Sequence, residues 1–244
     1  MRQDVIFNGI SGSSLKVYAV ERPALPVAEK RRQEIEVAGR DGVLTIDSGD
    51  FTEKELTIKF NFIVPHGKWN ERCQEIKEWL SAENCELQLS DDTDHFYRVN
   101  YVSIKEIKRP SERIGTFEAV FVTRDGLRYL KNGQSETQVS TSGTTLNNKY
   151  VRCFPTFKIR GNGTFSIEIT HNSVVKKMTG QVSGDMIIDT ENMLAYRNDG
   201  TSQNRLVTGD YSDLWLEKGN NTIKANAGIS SSATVSIIPN WRRL

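Results

Sequence analysis

An acidic run in the first half of the chain has residue types that could bind a metal ion. Residues 91–94 read Asp-Asp-Thr-Asp, and carboxylate oxygens are the ligands that Ca²⁺ prefers. An EF-hand loop beginning at Asp92 would need a glycine at its sixth position and a glutamate at its twelfth. Tyr97 and Ser103 stand at those two positions. We therefore interpret the run as a solvated turn.

Asp189 and Glu191 are the candidate pair for acid–base cleavage of a glycosidic bond. Such carboxylates must flank the bond across a cleft, roughly 5 to 10 Å apart. Two residues beside a predicted turn at positions 190–192 do not suit that geometry, so we interpret both as structural. The chain also lacks the Gly-x-Ser-x-Gly elbow, a phosphate-binding loop and a dinucleotide fingerprint. We expect no enzymatic activity and no cofactor.

The histidines and cysteines show no metal-binding spacing. Neither type recurs at the short intervals of a zinc site, and no Cys-x-x-Cys redox motif is present. We therefore expect no bound metal, and reduced cysteines that pack in cores, as in a protein made in cytoplasm. The residues concerned are His66, His95, His171, Cys73, Cys85 and Cys153.

Length and charge exclude further classes of protein. The 244 residues suffice for one large domain or two ordinary ones. The 32 basic residues nearly balance the 31 acidic residues, which disfavours binding driven by nucleic-acid phosphates. No window approaches the length of a membrane-spanning helix, and the first residues lack the apolar segment of a secretory signal. We expect no membrane association.

A hairpin is predicted in the first half of the chain. Residues 34–37 and 43–46 are strand-like runs, and the turn between them has a glycine at each edge, which suits the positive φ of a hairpin loop. A second turn is expected at residues 47–50. The charged residues 29–32 are expected to form a solvated loop. The turn residues of the hairpin are Gly39, Arg40, Asp41 and Gly42.

One long strand and one helix are the clearest elements. Residues 55–64 alternate with period two, which predicts a strand with one buried face and one wet face. Residues 68–81 carry apolar side chains at helical spacing, and Trp79 widens that stripe. Shorter strands are expected at residues 15–20, 86–89, 96–102 and 117–122. The buried face of the long strand comprises Leu56, Ile58, Phe60 and Phe62, and the helical stripe comprises Trp69, Cys73, Ile76 and Leu80.

The second half of the chain reads as an antiparallel β-sandwich. Residues 131–149 are rich in Ser, Thr, Asn, Gln and Gly, which indicates a linker or edge strands and places a domain boundary near residue 130. Short strands alternate with turns after it, and no segment has a helical stripe. We interpret residues 161–163, Gly-Asn-Gly, as a turn between two strands. The expected strands are 156–160, 164–170, 174–178, 186–188, 192–196, 214–216, 222–225 and 235–238.

The order of these pieces resembles the distal tail proteins of siphophages. The glycine-bounded hairpin precedes an acidic-aromatic step at residues 50–51 and an amphipathic strand. A helix ending in Trp-Leu, a short strand, the acidic turn, an aromatic strand and a final strand with phenylalanine then follow. In the second half the resemblance continues through Asn147-Asn148, Pro155, Gly161-Asn162-Gly163, Ile187-Ile188-Asp189, Gly219-Asn220-Asn221-Thr222-Ile223 and Pro239-Asn240-Trp241-Arg242-Arg243.

The resemblance implies a mainly β protein of two domains. The first, residues 1–130, would be a β-sandwich or α+β domain with one helix and a hairpin arm, and would form the ring. The second, residues 131–244, would be a galectin-like antiparallel β-sandwich. Galectins hold sugar with a His-x-Asn-Pro-Arg strand, but Asn-Ser-Val follows His171, and Trp215 could lie in the core or at the surface. The galectin sugar-binding residues are therefore not carried over.

The implied function is that of a structural virion protein of a siphophage or prophage. It would form a hexameric ring that joins the tail tube to the tail-tip or baseplate proteins, including the tail-associated lysin. The ring would leave a channel through which DNA passes without sequence-specific binding. The protein would be made in the host bacterial cytoplasm and reside at the tail tip.

The hairpin turn is the candidate arm for contact with a neighbouring subunit, since a closed ring needs heterologous interfaces. Its exposed edges could be paired and covered by the neighbour. The alternative function is a carbohydrate-binding module whose second domain recognises host cell-wall saccharide.

Overall fold

The alternating residues 55–64 form the strand on which the first half of the chain is built. In the computed structural model, which describes residues 3–228 and 231–244, this strand is Lys54–Ile63. Its four predicted core side chains are at most 1% exposed, and the residues between them face solvent. The period-two prediction is confirmed.

The chain divides into two units, the first ending at Tyr129 and the second spanning Leu130–Arg243. Antiparallel strands dominate both, which confirms the mainly β fold class. In the first unit the elements are β1 (Val5–Phe7), β2 (Ile10–Ser11), β3 (Val17–Ala19), β4 (Lys30–Glu36), β5 (Val43–Phe51), β6 (Lys54–Ile63), α1 (Trp69–Leu80), β7 (Cys85–Leu89), β8 (His95–Lys108) and β9 (Ile114–Thr123).

Seven of these strands form one sheet, in the order β2-β1-β7-β8-β9-β6-β3. Helix α1 buries Ile76, Trp79 and Leu80, so the predicted stripe and its widening by Trp79 are confirmed. The Trp79 indole Nε1 donates a hydrogen bond of 3.2 Å to the Phe7 carbonyl, which satisfies its polar atom inside the core.

Aromatic rings fill the centre of this core. Phe60 stacks on Phe117 with ring centroids 5.0 Å apart, and meets the ring of Trp79 edge-on at 6.1 Å and that of Phe121 at 6.4 Å. Offset and edge-to-face geometries of this kind add to the stabilisation that burial of the rings provides. Phe60 is therefore one of the side chains through which helix α1 and strands β6 and β9 pack together, and Phe62, whose ring contacts those of Trp69 and Phe117, is another.

Two phenylalanines lie over glycines on neighbouring strands. Phe62 on β6 is in register with Gly115 on β9, and a Cβ added at Gly115 would lie 2.1 Å from the Phe62 ring. In the second unit, Phe165 covers its cross-strand partner Gly180 in the same manner, with a clearance of 2.6 Å. Glycine here provides space for an aromatic ring, a known device for packing sheets.

Three predictions for the first half are wrong. The charged residues 29–32 do not form a loop, because strand β4 begins at Lys30. The expected turn at 47–50 is part of β5: Asp47 accepts a hydrogen bond from the Gly49 amide, and a register shift near Arg32 absorbs the irregularity without reversing the chain. The strand expected at residues 15–20 is limited to β3, since a 3₁₀ helix occupies Gly12–Leu15.

The second unit is built around a long hairpin. Its strands are β11 (Thr137–Gln138), β12 (Thr144–Asn148), β13 (Thr156–His171), β14 (Val174–Asp189), β15 (Leu194–Tyr196), β16 (Val207–Thr208), β17 (Gly219–Ala227), β18 (Thr234–Ile238) and β19 (Arg242–Arg243), and β10 (Arg128–Leu130) lies at the boundary between the units. Strand β13 pairs with β14 over its full length, and its other edge pairs first with β18 and then with β17.

Residues 161–163 are not a turn, which corrects the prediction. They lie inside β13 and stay in register with Gly184, Ser183 and Val182 of β14. Gly161 and Gly163 have φ of 118° and 114°, values that only glycine adopts without strain, and the strand continues through them. The strand expected at 214–216 is also wrong, because a 3₁₀ helix spans Tyr211–Leu214 and only an isolated bridge follows at Leu216.

Buried asparagines fix the segment between this 3₁₀ helix and β17. Asn221 is fully buried, and its Oδ1 accepts from the Glu217 amide at 3.1 Å. Its Nδ2 donates to the carbonyls of Glu217 and Gly219, at 2.7 and 3.0 Å. Asn148 donates to the Val151 and Leu216 carbonyls at 2.8 and 3.2 Å. Side-chain amides thus replace the backbone partners that an irregular buried segment lacks.

An ion cluster ties β13 and β18 to the residue that precedes β11. The Glu136 carboxylate accepts hydrogen bonds from Arg160 at 2.7 Å, Ser236 at 2.5 Å and Lys158 at 3.2 Å. Together, with Arg160 contributing most, they lower the pKa of Glu136 from 4.5 to about 2. A carboxyl group whose pKa is depressed in the folded state stabilises the fold above its unfolded pKa and loses that effect as pH falls.

We expect Glu136→Gln to be less stable than the parent at pH 7 and to approach it as the pH falls. The difference should shrink between about pH 5 and pH 2, the window between the unfolded and folded pKa values. Urea midpoints of both proteins at several pH values measure it. A difference that stays constant across this range would contradict the role given to the ion cluster.

Candidate assembly surface

The hairpin β4–β5 is a two-stranded sheet of its own. The two strands pair with each other and, within the described residues, with no other strand. We call residues 30–51 the arm. Every residue of β4 is exposed, as are the first seven residues of β5. The arm is therefore a ribbon without a core of its own.

The predicted turn residues lie at the tip of the arm. Gly39 and Gly42 have φ of 80° and 77°, as a tight reversal requires. A Cβ added at either glycine would meet no atom within 4 Å, so the tip is surrounded by open space. Arg40 and Asp41 between them are exposed. That these four residues contact a neighbouring subunit stays a prediction.

The arm has one apolar face. Ile35 is in register with Leu44, and the next pair on the same side is Gln33 with Ile46. Ile35, Leu44 and Ile46 are 37%, 38% and 42% exposed, although residues of this kind are usually buried. We call these three residues the apolar face of the arm. An exposed apolar face on such a ribbon is a candidate interaction surface.

Ion pairs hold the base of the arm. Lys30 contacts Asp47 at 2.5 Å, and Arg31 contacts Asp50 at 3.2 Å across the two strands. The hydrogen bond from Lys30 lowers the pKa of Asp47. Cross-strand pairing and charges, without packing against a core, thus set the register of the arm.

The carboxylates of the acidic turn contact other side chains of the protein. Asp92 contacts His95 at 2.6 Å and Arg128 at 3.5 Å, and Asp91 contacts Arg22 at 3.4 Å. Among residues 3–228 and 231–244, no group of three or more His, Cys, Asp or Glu side chains could hold a metal ion.

The carboxylate of Asp189 caps its own turn. Its Oδ1 accepts from the amides of Glu191 and Asn192 at 3.0 and 3.1 Å, and its Oδ2 accepts from the Asn192 side chain at 2.8 Å. These bonds are local to the turn that follows β14. This bonding agrees with the interpretation of Asp189 as a structural residue.

Trp215 is partly buried in the second unit. Its Nε1 donates to the Thr190 carbonyl at 3.2 Å, the Phe154 ring lies 5.0 Å from it, and the Arg152 guanidinium lies 5.1 Å from its ring centre. His171 is bonded through Nδ1 to the Asn220 carbonyl at 3.1 Å. Both side chains thus form contacts with other residues of the second unit.

The three cysteines are free. Cys153 is fully buried, and burial raises the pKa of its thiol to about 11. Cys73 and Cys85 are partly buried beside the core of the first unit, where burial also raises the pKa of each thiol. Thiols with raised pKa values are poor nucleophiles.

One exposed apolar surface of the first unit was not predicted from the sequence. Ile63 and Ile114, on the solvent side of β6 and β9, are cross-strand partners and are 52% and 42% exposed. Val20, which follows β3, is 56% exposed and lines the same pocket of about 520 Å³. The sequence did contain a signal for this surface. Ile63 lies on the solvent-facing side of a strand whose other residues on that side are polar.

Comparison with known proteins addresses the fold as a whole. No protein-family model and no curated protein matches the chain. In the part that the structure describes, no helix has both the length and the apolar character needed to cross a membrane. A crystal structure of the Dit protein (gp 19.1) of phage SPP1 is similar, with a TM-score of 0.69, 16% identity and 99% of each chain covered. That protein is described as a paradigm of the hub adsorption apparatus in phages that infect Gram-positive bacteria. The chain therefore has the fold of a phage distal tail protein.

Proposed function

We propose that this chain is a structural component of a phage tail. Several copies of it assemble into a ring, and this ring is the hub at the tail tip. The observation that carries the proposal is the arm, a ribbon with an exposed apolar face on a chain whose whole length has the fold of a phage hub protein. A monomer gains nothing from such a ribbon, whereas a neighbouring subunit could cover it.

In this proposal the ring is hexameric and joins the tail tube protein to tail-tip or baseplate proteins, including the tail-associated lysin. DNA passes through the central channel without sequence-specific contacts, as the near-zero net charge of +1 allows. The first unit forms the ring, and the second is a galectin-like sandwich. The protein resides in the virion and performs no catalysis.

The saccharide-binding alternative has less support. Sugar recognition by a sandwich of this kind commonly uses an open aromatic face. Trp215, the aromatic residue considered for that role, has Phe154 and Arg152 against its ring and its indole nitrogen bonded to the Thr190 carbonyl. A structural hub is therefore the function we propose.

We expect the purified full chain to form rings visible by electron microscopy, and deletion of residues 38–43 with a short glycine bridge to abolish them. The deletion removes the exposed tip with its four candidate contact residues, Gly39, Arg40, Asp41 and Gly42, and leaves the core of the first unit intact. Circular dichroism checks that the variant is folded.

A matched control is Val174→Ser with Val175→Ser, since these valines are 58% and 60% exposed at the tip of the β13–β14 hairpin. That variant should still form rings. Rings that persist after the arm deletion, or a parent chain that stays monomeric up to roughly 1 mM, would refute the proposal.

A further inference from the structure

Arginine side chains and aromatic rings meet at one place on the second unit. Three guanidinium groups lie over rings, at 5.1, 4.0 and 5.9 Å from the ring centres. Two of these rings, Phe154 and Trp215, also contact each other, with centroids 5.0 Å apart. We call the six residues the arginine–aromatic cluster. The pairs are Arg152 with Trp215, Arg242 with Phe154, and Arg243 with Tyr150.

The bridge between Cys153 and Leu216 places part of this cluster at the surface. The two residues exchange backbone hydrogen bonds of 3.0 Å, and both side chains are fully buried. Because successive side chains of an extended segment point to opposite faces, Arg152 and Phe154 lie on the outward side. Glu217 lies there too, and its carboxylate contacts the Arg152 Nε at 2.7 Å, with both side chains 38% exposed.

The surface that carries the cluster is basic. Its segments, residues 149–154, 215–218 and 242–243, contain five lysines and arginines and one acidic residue. Lys149 and Lys218 are exposed and adjoin the same end of the β12–β17 ladder. Neither lysine makes an ion pair in the part of the chain that the structure describes. Such a concentration of cations attracts a ligand of the opposite charge.

A buried asparagine and a buried arginine hold the cluster in place. The Asn240 Nδ2 donates to the Phe154 carbonyl at 2.9 Å. Arg242 is 4% exposed, and its Nε donates to the Arg152 carbonyl at 2.8 Å. A surface that is ordered before its ligand arrives loses less conformational entropy on binding.

We propose that the arginine–aromatic cluster, with Lys149 and Lys218, binds an acidic segment of another protein. Arg152 already holds one carboxylate, that of Glu217, and a guanidinium stacked on a ring keeps its N–H groups available for such acceptors. The inference goes beyond the proposed function, because neither the arm nor ring assembly enters it.

The rings decide which kind of acidic ligand fits. They place apolar surface between the cations, so a matching segment carries apolar side chains beside its carboxylates. Tryptophan, tyrosine and arginine are also the residues that contribute most to the affinity of protein interfaces. A polymer of phosphate groups would use the cations and leave the rings without a partner, so the surface favours a protein.

Fluorescence anisotropy with labelled octapeptides tests this inference on the full chain. The acidic probe alternates glutamate with leucine, and the comparison peptide alternates lysine with leucine. We expect the acidic probe to bind with a Kd below about 0.1 mM at roughly 50 mM salt. Its affinity should fall about fivefold or more at roughly 300 mM salt, because ions screen the attraction. The basic peptide should not bind.

The first variant is Lys149→Gln with Lys218→Gln and Arg243→Gln. It removes three cations of the surface and keeps side chains of similar length. The affinity for the acidic probe should fall about tenfold or more, because the charge complementarity is lost.

The matched control is Lys105→Gln with Arg205→Gln and Lys224→Gln, which removes the same charge from exposed positions elsewhere on the chain. It should bind the acidic probe as the parent does. Circular dichroism checks that both variants are folded. If the first variant unfolds, Lys149→Gln with Lys218→Gln replaces it, since both of these positions are exposed.

Four outcomes would overturn the inference. The parent does not bind the acidic probe, or the control variant loses as much affinity as the first variant. A peptide of eight glutamates binds as tightly as the probe, so that the rings take no part. Polyphosphate of similar length binds more tightly than the probe, which assigns the surface to a phosphate polymer. Anisotropy reports binding whether or not rings form, so each outcome leaves the proposed function standing.

Discussion

Replacing Phe60 by alanine is expected to lower the free energy of unfolding of the first unit by about 3 to 5 kcal/mol. Its ring is 1% exposed and contacts the rings of Phe117, Phe121 and Trp79, so the substitution leaves a cavity where β6, β9 and α1 meet. Rigid strands on two sides limit how far the neighbours can close that space.

Urea unfolding followed by tryptophan fluorescence measures the effect of Phe60→Ala, because Trp69 and Trp79 both report on this core. The matched control is Tyr101→Ala, which removes an aromatic ring that is 49% exposed on β8 of the same sheet. The control should cost less than about 1 kcal/mol. Equal losses in the two variants would show that the Phe60 cluster has no special weight.

Asn221→Ala is expected to destabilise the second unit by about 3 kcal/mol. The side chain satisfies the amide and carbonyl of Glu217 and the carbonyl of Gly219, and alanine offers none of these partners. Each backbone group left buried without a partner costs about 1 to 3 kcal/mol. The cost is concentrated in one segment, so the bridge between Cys153 and Leu216 should loosen with it.

Hydrogen exchange and urea unfolding both test this expectation. Asn226→Ala is the control, since it removes an exposed asparagine from the same strand. Exchange of the Glu217 and Leu216 amides should accelerate in the first variant only. Unchanged exchange at these amides in Asn221→Ala would show that the asparagine does not hold the segment.

Elements set by local periodicity could be predicted from the sequence. Strand β6 and helix α1 each carry their own period of apolar residues, so no knowledge of their neighbours is required. Residues 161–163 show the limit of this reasoning. Glycines of a kind typical of turns lie here inside a continuous strand, because β14 pairs with β13 on both sides of them and at them.

The candidate site divides in the same way. Glycines at both edges of a short turn indicated the tip of the arm. The extension of its strands to the base could not be predicted locally, because there Lys30 and Arg31 contact Asp47 and Asp50 on the facing strand. The exposed apolar surface around Ile63 and Ile114 could not be predicted from any one segment. Ile63 and Ile114 are 51 positions apart in the sequence and become neighbours only through the register of β6 with β9.

The phenylalanine that covers Gly115 has a consequence for how this sequence can change. A larger residue at position 115 collides with the Phe62 ring, while a smaller residue at position 62 leaves a void, so each single substitution is unfavourable alone. A methyl group gained on one strand can be accommodated when the ring on the other is lost, which makes the two substitutions epistatic. Phe165 and Gly180 form a second such pair, and each unit thus holds two positions whose histories of mutation are tied together.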